Sequence, residues 1–225
     1  MEAKEIIGIY GRRIPIDNVI KALTSDENGK ILGRMYTLTR LIDREVGCAI
    51  YDNGEEIYLA NFAIGTEVTV TISTEYRGQG VAIGTVHTHP GQSEPSHSRS
   101  DIKNLLSRGY PGGVSVVIAG FPLLSWKPSQ PRAKICFLTA DVIESELYYA
   151  YVEGGWWTDE GWRDFSEEDY EKLVSQLTFV EVDIKPYGVP TMYYCDICHR
   201  KHKISSGIGR WHIDRALNQL ILGVG

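Results

Sequence analysis

A chain of 225 residues has room for one generous domain, or for a core of about 150 residues with an appendage. Hydrophobic residues make up 43% and charged residues 23%, an ordinary balance for a soluble globular protein with a real core. A net charge of −6 excludes a general basic footprint for nucleic acid, and apolar runs such as Val114 to Ala119 are far too short to span a membrane.

The opening MEAKEIIGIY lacks the succession of basic, apolar and small residues that marks a signal peptide, so the expected location is the cytoplasm. Residues 5–10 (EIIGIY) read as a short first strand. Pro15 to Leu23 predicts a helix, because Ile16, Val19, Ile20 and Leu23 recur at helical spacing behind a first-turn proline. DENG at 26–29 is a turn signal, and Ile31 to Ile42 is a second helical stretch carrying Leu32, Met35, Leu38 and Leu41 or Ile42. The period then changes. GCAIY (47–51), EIYLANFAI (56–64) and EVTVTIS (67–73) are strand-like, with turns at Asp52-Asn53-Gly54 and at Gly65. In the last of these, the alternation of Val68, Val70 and Ile72 implies one buried face.

Arg77 to Gly80 reads as a loop, Val81 to His87 as a strand, and Pro90 to His97 as a loop rich in Pro, Gly and Ser. A helix follows from Ser98 to Gly109. VSVVIAG (114–120) and AKICFLTA (133–140) are almost continuously apolar, as central strands are. Further helices are expected at Glu144 to Tyr151 and at Ser166 to Leu177, the second announced by a capping box of Ser166 and Asp169. The Trp156-Trp157 pair and Trp162 between them suggest a packed, Trp-rich excursion. From about residue 186, Pro, Gly, Cys and His cluster before a last helix near Asp214 to Leu222. The fold class is therefore α/β or α+β, a mixed β-sheet flanked by helices, with a small C-terminal Cys/His appendage.

His87 and His89 lie two apart at the end of a strand, so both imidazoles leave the same face and can converge on one point. Ser98 and Asp101 stand three apart where a helix starts, on one side of its first turn. Two histidines and a carboxylate suit zinc, and three protein ligands leave the fourth tetrahedral position open, the pattern of a catalytic site. Taken singly, a His-x-His pair arises by chance, and Ser98-x-x-Asp101 is an ordinary helix cap. The capping and ligand readings are compatible.

Together these residues carry a resemblance. His87-Thr88-His89-Pro90 within IGTVHTHP, then Ser98-x-x-Asp101, resembles the signature of the JAB1/MPN/Mov34 (JAMM) zinc metallopeptidases, and Glu45-Val46-Gly47-Cys48 matches the upstream glutamate of that family. The resemblance spans about residues 15–140, inside an expected catalytic domain of 1–185. The loop from Pro90 to His97 is one residue longer than the family's usual spacing. That raises Ser96 as an alternative to Ser98, and Asp101 three residues on decides for Ser98. The resemblance implies the layering of the MPN/JAMM fold, similar to that of cytidine deaminases. It also implies zinc on His87, His89 and Asp101, Glu45 as general base and Ser98 as oxyanion donor. Glu45 is preferred to Glu55, Glu56, Glu67 and Glu75 because a base needs a rigid element boundary. His97 reads as a solvated loop histidine.

The implied activity is removal of ubiquitin or a ubiquitin-like modifier after its C-terminal Gly-Gly. The partner would be such a protein or its conjugates, in a larger protease assembly or a homodimer, without nucleic acid or membrane. A substrate platform is expected at Glu75, Tyr76, Arg77, Gly78, Gln79 and Gly80. Hydrolysis of small or sulfur-carrier-linked substrates is one alternative. A non-catalytic MPN scaffold is another, against which the intact ligands argue. Metallo-β-lactamase-like enzymes need His-x-His-x-Asp-His, whereas Pro90-Gly91-Gln92 follows here, and amidohydrolase barrels need a length and a set of later histidines that this chain lacks.

Four cysteines complete the reading. Cys48 and Cys136 sit alone in apolar runs and are expected as buried thiols. Cys195-Asp196-Ile197-Cys198-His199 matches a haem c attachment string, but that needs an exported context, and the βαβ setting of a redox pair is missing. A second, structural zinc would use Cys195 and Cys198 with two of His199, His202 and His212, His202 and His212 being the expected pair. An ordinary unmetallated turn is the alternative. The basic Arg200, Lys201, Lys203 and Arg210 offer this region, residues 186–225, as a docking surface.

Overall fold

The structure, a computed structural model, describes residues 4–75, 80–108, 111–120, 130–204 and 210–223. Its centre is a six-stranded sheet built from β3 (Val46–Asp52), β4 (Ile57–Ile64), β5 (Val81–Thr88), β6 (Val114–Ala119), β7 (Arg132–Phe137) and β10 (Thr178–Asp183), in the order β10-β7-β6-β5-β3-β4. Every neighbouring pair is antiparallel except β5 and β6, which run parallel. A parallel pair needs a crossover, and α3 (Arg99–Arg108) supplies it.

Helices cover both faces. α1 (Ile16–Leu23), α2 (Asp26–Ile42) and α7 (Arg210–Leu222) close one core with Val86, Ile135 and Phe137 of the sheet. α3, α4 (Ala140–Ile143), α5 (Glu146–Glu153) and α6 (Glu167–Gln176) close a second core with Cys136 and Leu138. Successive residues of β7 thus enter opposite cores, as the pleat requires for a strand buried on both sides. The protein is a mixed, three-layered α/β structure. Among the described residues no helix is long and apolar enough to cross a membrane.

Several elements differ from the sequence reading. DENG is not a turn but the first turn of α2. Ser25 caps the helix and accepts the Asn28 N–H at 3.3 Å, and Asp26 and Glu27 complement the positive end of the helix. EIIGIY is a strand, β1 (Glu5–Ile7), paired with β2 (Arg13–Pro15), only as far as Ile7, and Ile9–Gly11 then form a 3-10 turn. The strand expected over 67–73 does not form: the chain folds back at Thr66, whose N–H reaches Thr69 O at 2.7 Å, and Val68 is 82% exposed. The Trp-rich segment is a hairpin, β8 (Gly155–Thr158) with β9 (Gly161–Asp164), rather than a packed excursion. Trp157 and Trp162 pair across it edge to face at 5.7 Å, with Trp157 77% exposed.

The strand β10 and a second hairpin, β11 (Met192–Cys195) with β12 (Arg200–Lys203), were not read from the sequence. Cys48 and Cys136 are buried thiols, and burial pushes Cys136 up to about 12.

Asn28 joins α1, α2 and the sheet, because its buried amide donates to Ala22 O (3.0 Å) and Ile57 O (2.9 Å). Asn28→Ala leaves both carbonyls without that donor and should cost about 1–3 kcal/mol, read as a lower urea midpoint at unchanged slope.

Candidate metal centre

β5 ends between β3 and β6, with His87 in register with Gly47 on one side and Val117 on the other. His89 lies one residue past the strand and prolongs the parallel ladder by donating its N–H to Ile118 O at 2.9 Å. The pleat sends Thr88 into the α2 core and both imidazoles towards α3. Their ring centroids are 4.7 Å apart and their Nε2 atoms 2.9 Å. Asp101, in the first turn of α3, completes the group, with Oδ1 3.4 Å from His87 Nε2 and Oδ2 3.9 Å from His89 Nε2.

A tetrahedral ion with bonds of roughly 2.0–2.1 Å sets its donors about 3.3 Å apart. The three observed separations bracket that value, so the donor set fits zinc. Two imidazole nitrogens this close cannot both present lone pairs without a cation or a proton between them. His89 and Asp101 are also in the form a ligand needs. Burial, followed by the neighbouring His87, holds His89 below the usual imidazole range, so its ring is neutral. Gln92 Oε1 accepts from His89 Nδ1 at 3.0 Å, which places the proton there and frees Nε2. Burial pushes Asp101 up, but His87 and the Ser98 N–H and O–H outweigh it, and the carboxyl stays well below its ordinary value.

Ser98 and Asp101 form a reciprocal cap. The Ser98 N–H and hydroxyl both donate to Asp101 Oδ2, at 2.7 and 2.8 Å, and Asp101 N–H donates to Ser98 Oγ at 3.2 Å. Both readings of Ser-x-x-Asp therefore coexist, with the cap aiming Oδ1 at His87. Ser96 is engaged elsewhere, donating to Gln92 Oε1 at 3.4 Å.

Glu45 precedes β3, with its main chain clamped by Glu45 N–H to Thr66 O (2.7 Å) and Gly65 N–H to Glu45 O (2.8 Å). Its carboxylate is buried 4.0 Å from His89 Nε2, and that burial raises its pKa. Of the other candidates, Glu55 and Glu56 line a separate cavity beside α1, while Glu67 stands at the rim of the same cleft. The cleft has a volume of about 780 Å³ and is walled by α3 on one side and by residues 67–72 on the other. A Cβ on Gly47 would sit 2.6 Å from Ile72 Cδ1 and 3.1 Å from Val70 Cγ1, so this segment lies directly over the start of β3.

The platform residues fall differently. Tyr76, Arg77, Gly78 and Gln79 lie outside the described residues. Glu75 accepts the Tyr51 hydroxyl at its carbonyl, and Gly80 packs against Asp52, both at the end of β3 remote from Glu45.

His97 is not a solvated loop residue. Nε2 donates to Ser115 O at 3.1 Å, the ring meets Phe179 edge-on, and burial holds it at about 4, so it is a neutral strut between the loop and β6. Gln92 went unread in the sequence, although its place three residues after a ligand histidine is where a turn returns a side chain to that ring. The Cys195, Cys198, His202 and His212 side chains form a second convergent group, with donor atoms all within 4.8 Å of one another. His199 turns away to the Tyr194 hydroxyl, 3.1 Å from its Nδ1.

Comparison with known proteins brings no match to a family model, to a curated protein or to a solved structure. The functional reading accordingly rests on the residues and their geometry.

His89→Ala or Asp101→Ala should remove one equivalent of zinc, measured by elemental analysis. Gln92→Ala should keep the ion but weaken its binding on the order of 10–100-fold in a chelator competition, since it loses only the group that orients a ligand.

Proposed function

We propose that this protein is a zinc-dependent peptidase of the JAMM type, cutting the bond that follows the C-terminal Gly-Gly of a ubiquitin-like modifier in the cytoplasm. The observation that carries the reading is the buried Glu45 carboxylate, 4.0 Å from His89 Nε2, facing a three-donor site on the floor of an open cleft. The lone parallel pair, the glutamate ahead of β3 and the helix that follows the His-x-His loop all suit the MPN/JAMM fold that the resemblance implies.

His87, His89 and Asp101 would hold zinc, which when bound supplies Lewis acidity at neutral pH. Glu45 is placed to move the proton: its carboxylate accepts one from the attacking water and returns it to the leaving amine. Burial raises the pKa of this base and fits it for both directions of transfer. Ser98 would turn its hydroxyl from Asp101 Oδ2 to the developing oxyanion, at the mouth of the same cleft. Gln92 keeps the His89 ring in orientation throughout.

Support for a peptide tail comes from the cleft wall. Residues 69–75 belong to no helix or strand among the described residues, so a substrate strand could pair there by main-chain hydrogen bonds. The Val70 and Ile72 side chains crowd Gly47 beside Glu45, an arrangement that would suit small residues before the scissile bond.

Glu45→Gln should retain zinc and fold yet lose most turnover on Gly-Gly-linked modifier fusions. Ser98→Ala should lose on the order of 10²–10³ in turnover. If a panel of such fusions stays uncut by the zinc-loaded protein while a small amide or thiocarboxylate adduct is hydrolysed, the modifier reading is wrong.

A further inference from the structure

The second convergent group lies away from the cleft and takes no part in the chemistry above. Cys195 ends β11, Cys198 sits in the turn that follows, His202 is on β12, and His212 is in the first turn of α7. Residues from three elements thus meet at one point. Cys195 Sγ is 3.0 Å from His212 Nδ1, and Cys198 Sγ is 2.9 Å from His202 Nε2. The His202 and His212 ring centroids lie 4.7 Å apart, with the ring planes tilted by 32°.

We propose that these four side chains hold a structural zinc ion that fastens the last helix to the body of the protein. The donors are two thiolates and two imidazoles, a closed tetrahedral set that leaves no position for water or substrate. Thiolate ligands select zinc over magnesium or calcium. With Zn–S near 2.3 Å and Zn–N near 2.05 Å, a tetrahedron spaces sulfur and nitrogen about 3.6 Å apart. The paired atoms need to open by only about 0.6–0.7 Å to admit the ion. Loading exchanges two thiol protons for one Zn²⁺, so charge and protons balance.

One further observation points to a metal rather than a disulfide. A disulfide would employ neither histidine, whereas here each sulfur has its own imidazole.

The position explains why an ion is needed. A hairpin of two four-residue strands is marginal by itself. Yet this hairpin and α7 build part of the main core, with Tyr193, Cys195, Ile213, Leu217, Leu220 and Ile221 packed among Leu32, Met35 and Leu38 of α2. At its far end α7 is held by Arg34 of α2, whose guanidinium donates to Ile221 O at 2.9 Å. At its near end His212 Nδ1 lies 3.0 Å from Cys195 Sγ of the hairpin. The ion would convert that contact into a covalent-strength clasp, and its binding energy would be folding energy for the region.

The test is a metal assay on reduced protein carrying Asp101→Ala, which removes the first site and leaves this one intact. One equivalent of zinc should remain, and replacement by cobalt should give the intense near-ultraviolet band of thiolate-to-cobalt charge transfer. That band requires sulfur ligands, so it reports this site whatever happens at His87 and His89. Cys195→Ser with Cys198→Ser should abolish the band. Chelation of the Asp101→Ala protein should speed hydrogen exchange in α7 and leave β5 and β6 unchanged, a readout that does not depend on the double variant folding. Absence of both zinc and the band in reduced Asp101→Ala protein, or a Cys195–Cys198 disulfide in freshly isolated native protein, would overturn the proposal.

Discussion

One buried hydroxyl ties the candidate site to the rest of the fold. Thr88 points into the α2 core between the two histidines that point out of it. Its Oγ1 lies 2.6 Å from Thr39 Oγ1 of α2, accepts the Val46 N–H at 2.9 Å and reaches Val46 O at 3.2 Å. Both threonines are fully buried, so these bonds are made in a low-dielectric interior where an unpaired partner is costly. The residues flanking the network are Glu45, just ahead of β3, and His87 and His89 at the end of β5. A shift of β5 against β3 would therefore break the hydroxyl's bonds before it misplaced the carboxylate. Local polar satisfaction in the core and the placement of the chemistry are one constraint.

The parallel pairing of β5 and β6 provides the space. In an antiparallel neighbour a tight hairpin would close over the strand end. A parallel one sends the chain out through a loop and back along a helix, which leaves the end of β5 open beneath α3. The loop from Pro90 to His97 uses that freedom, with Gln92 bracing the His89 ring from one side and His97 anchoring the loop on Ser115 O from the other. The helix start delivers Asp101 already capped. Each functional side chain thus sits at the boundary of a regular element, where the backbone is fixed but the side chain can face the cleft.

What could be read from the sequence follows the range of the forces involved. His87 and His89 declare themselves because the two-residue pleat is a property of the strand alone, and Ser166 with Asp169 declares α6 because capping is local. The continuous apolar run of β6 and the interrupted one of β7 identify central strands for the same reason. Long-range packing is different. Val68, Val70 and Ile72 alternate like a strand, but whether they pair depends on a neighbour that sequence does not name, and here all three line the cleft, with Val70 and Ile72 across Gly47. DENG looks like a turn until Ser25 is recognised as its cap. Thr178 to Asp183 alternates well, yet as an edge strand beside β7 it carries no turn signal to mark it off from α6. The convergence of Cys195 and Cys198 is local and legible. The contribution of His212 from another helix depends on tertiary folding.

The claim at the centre of this account is that His87, His89 and Asp101 hold one ion within reach of Glu45. Anomalous diffraction at the zinc absorption edge, on crystals of the zinc-loaded protein, tests it most directly. The account predicts a strong peak roughly 2.0–2.2 Å from His87 Nε2, from His89 Nε2 and from an Asp101 carboxylate oxygen, open to the cleft on its fourth side. A map with no peak among these three groups, from crystals that carry zinc elsewhere, would contradict it.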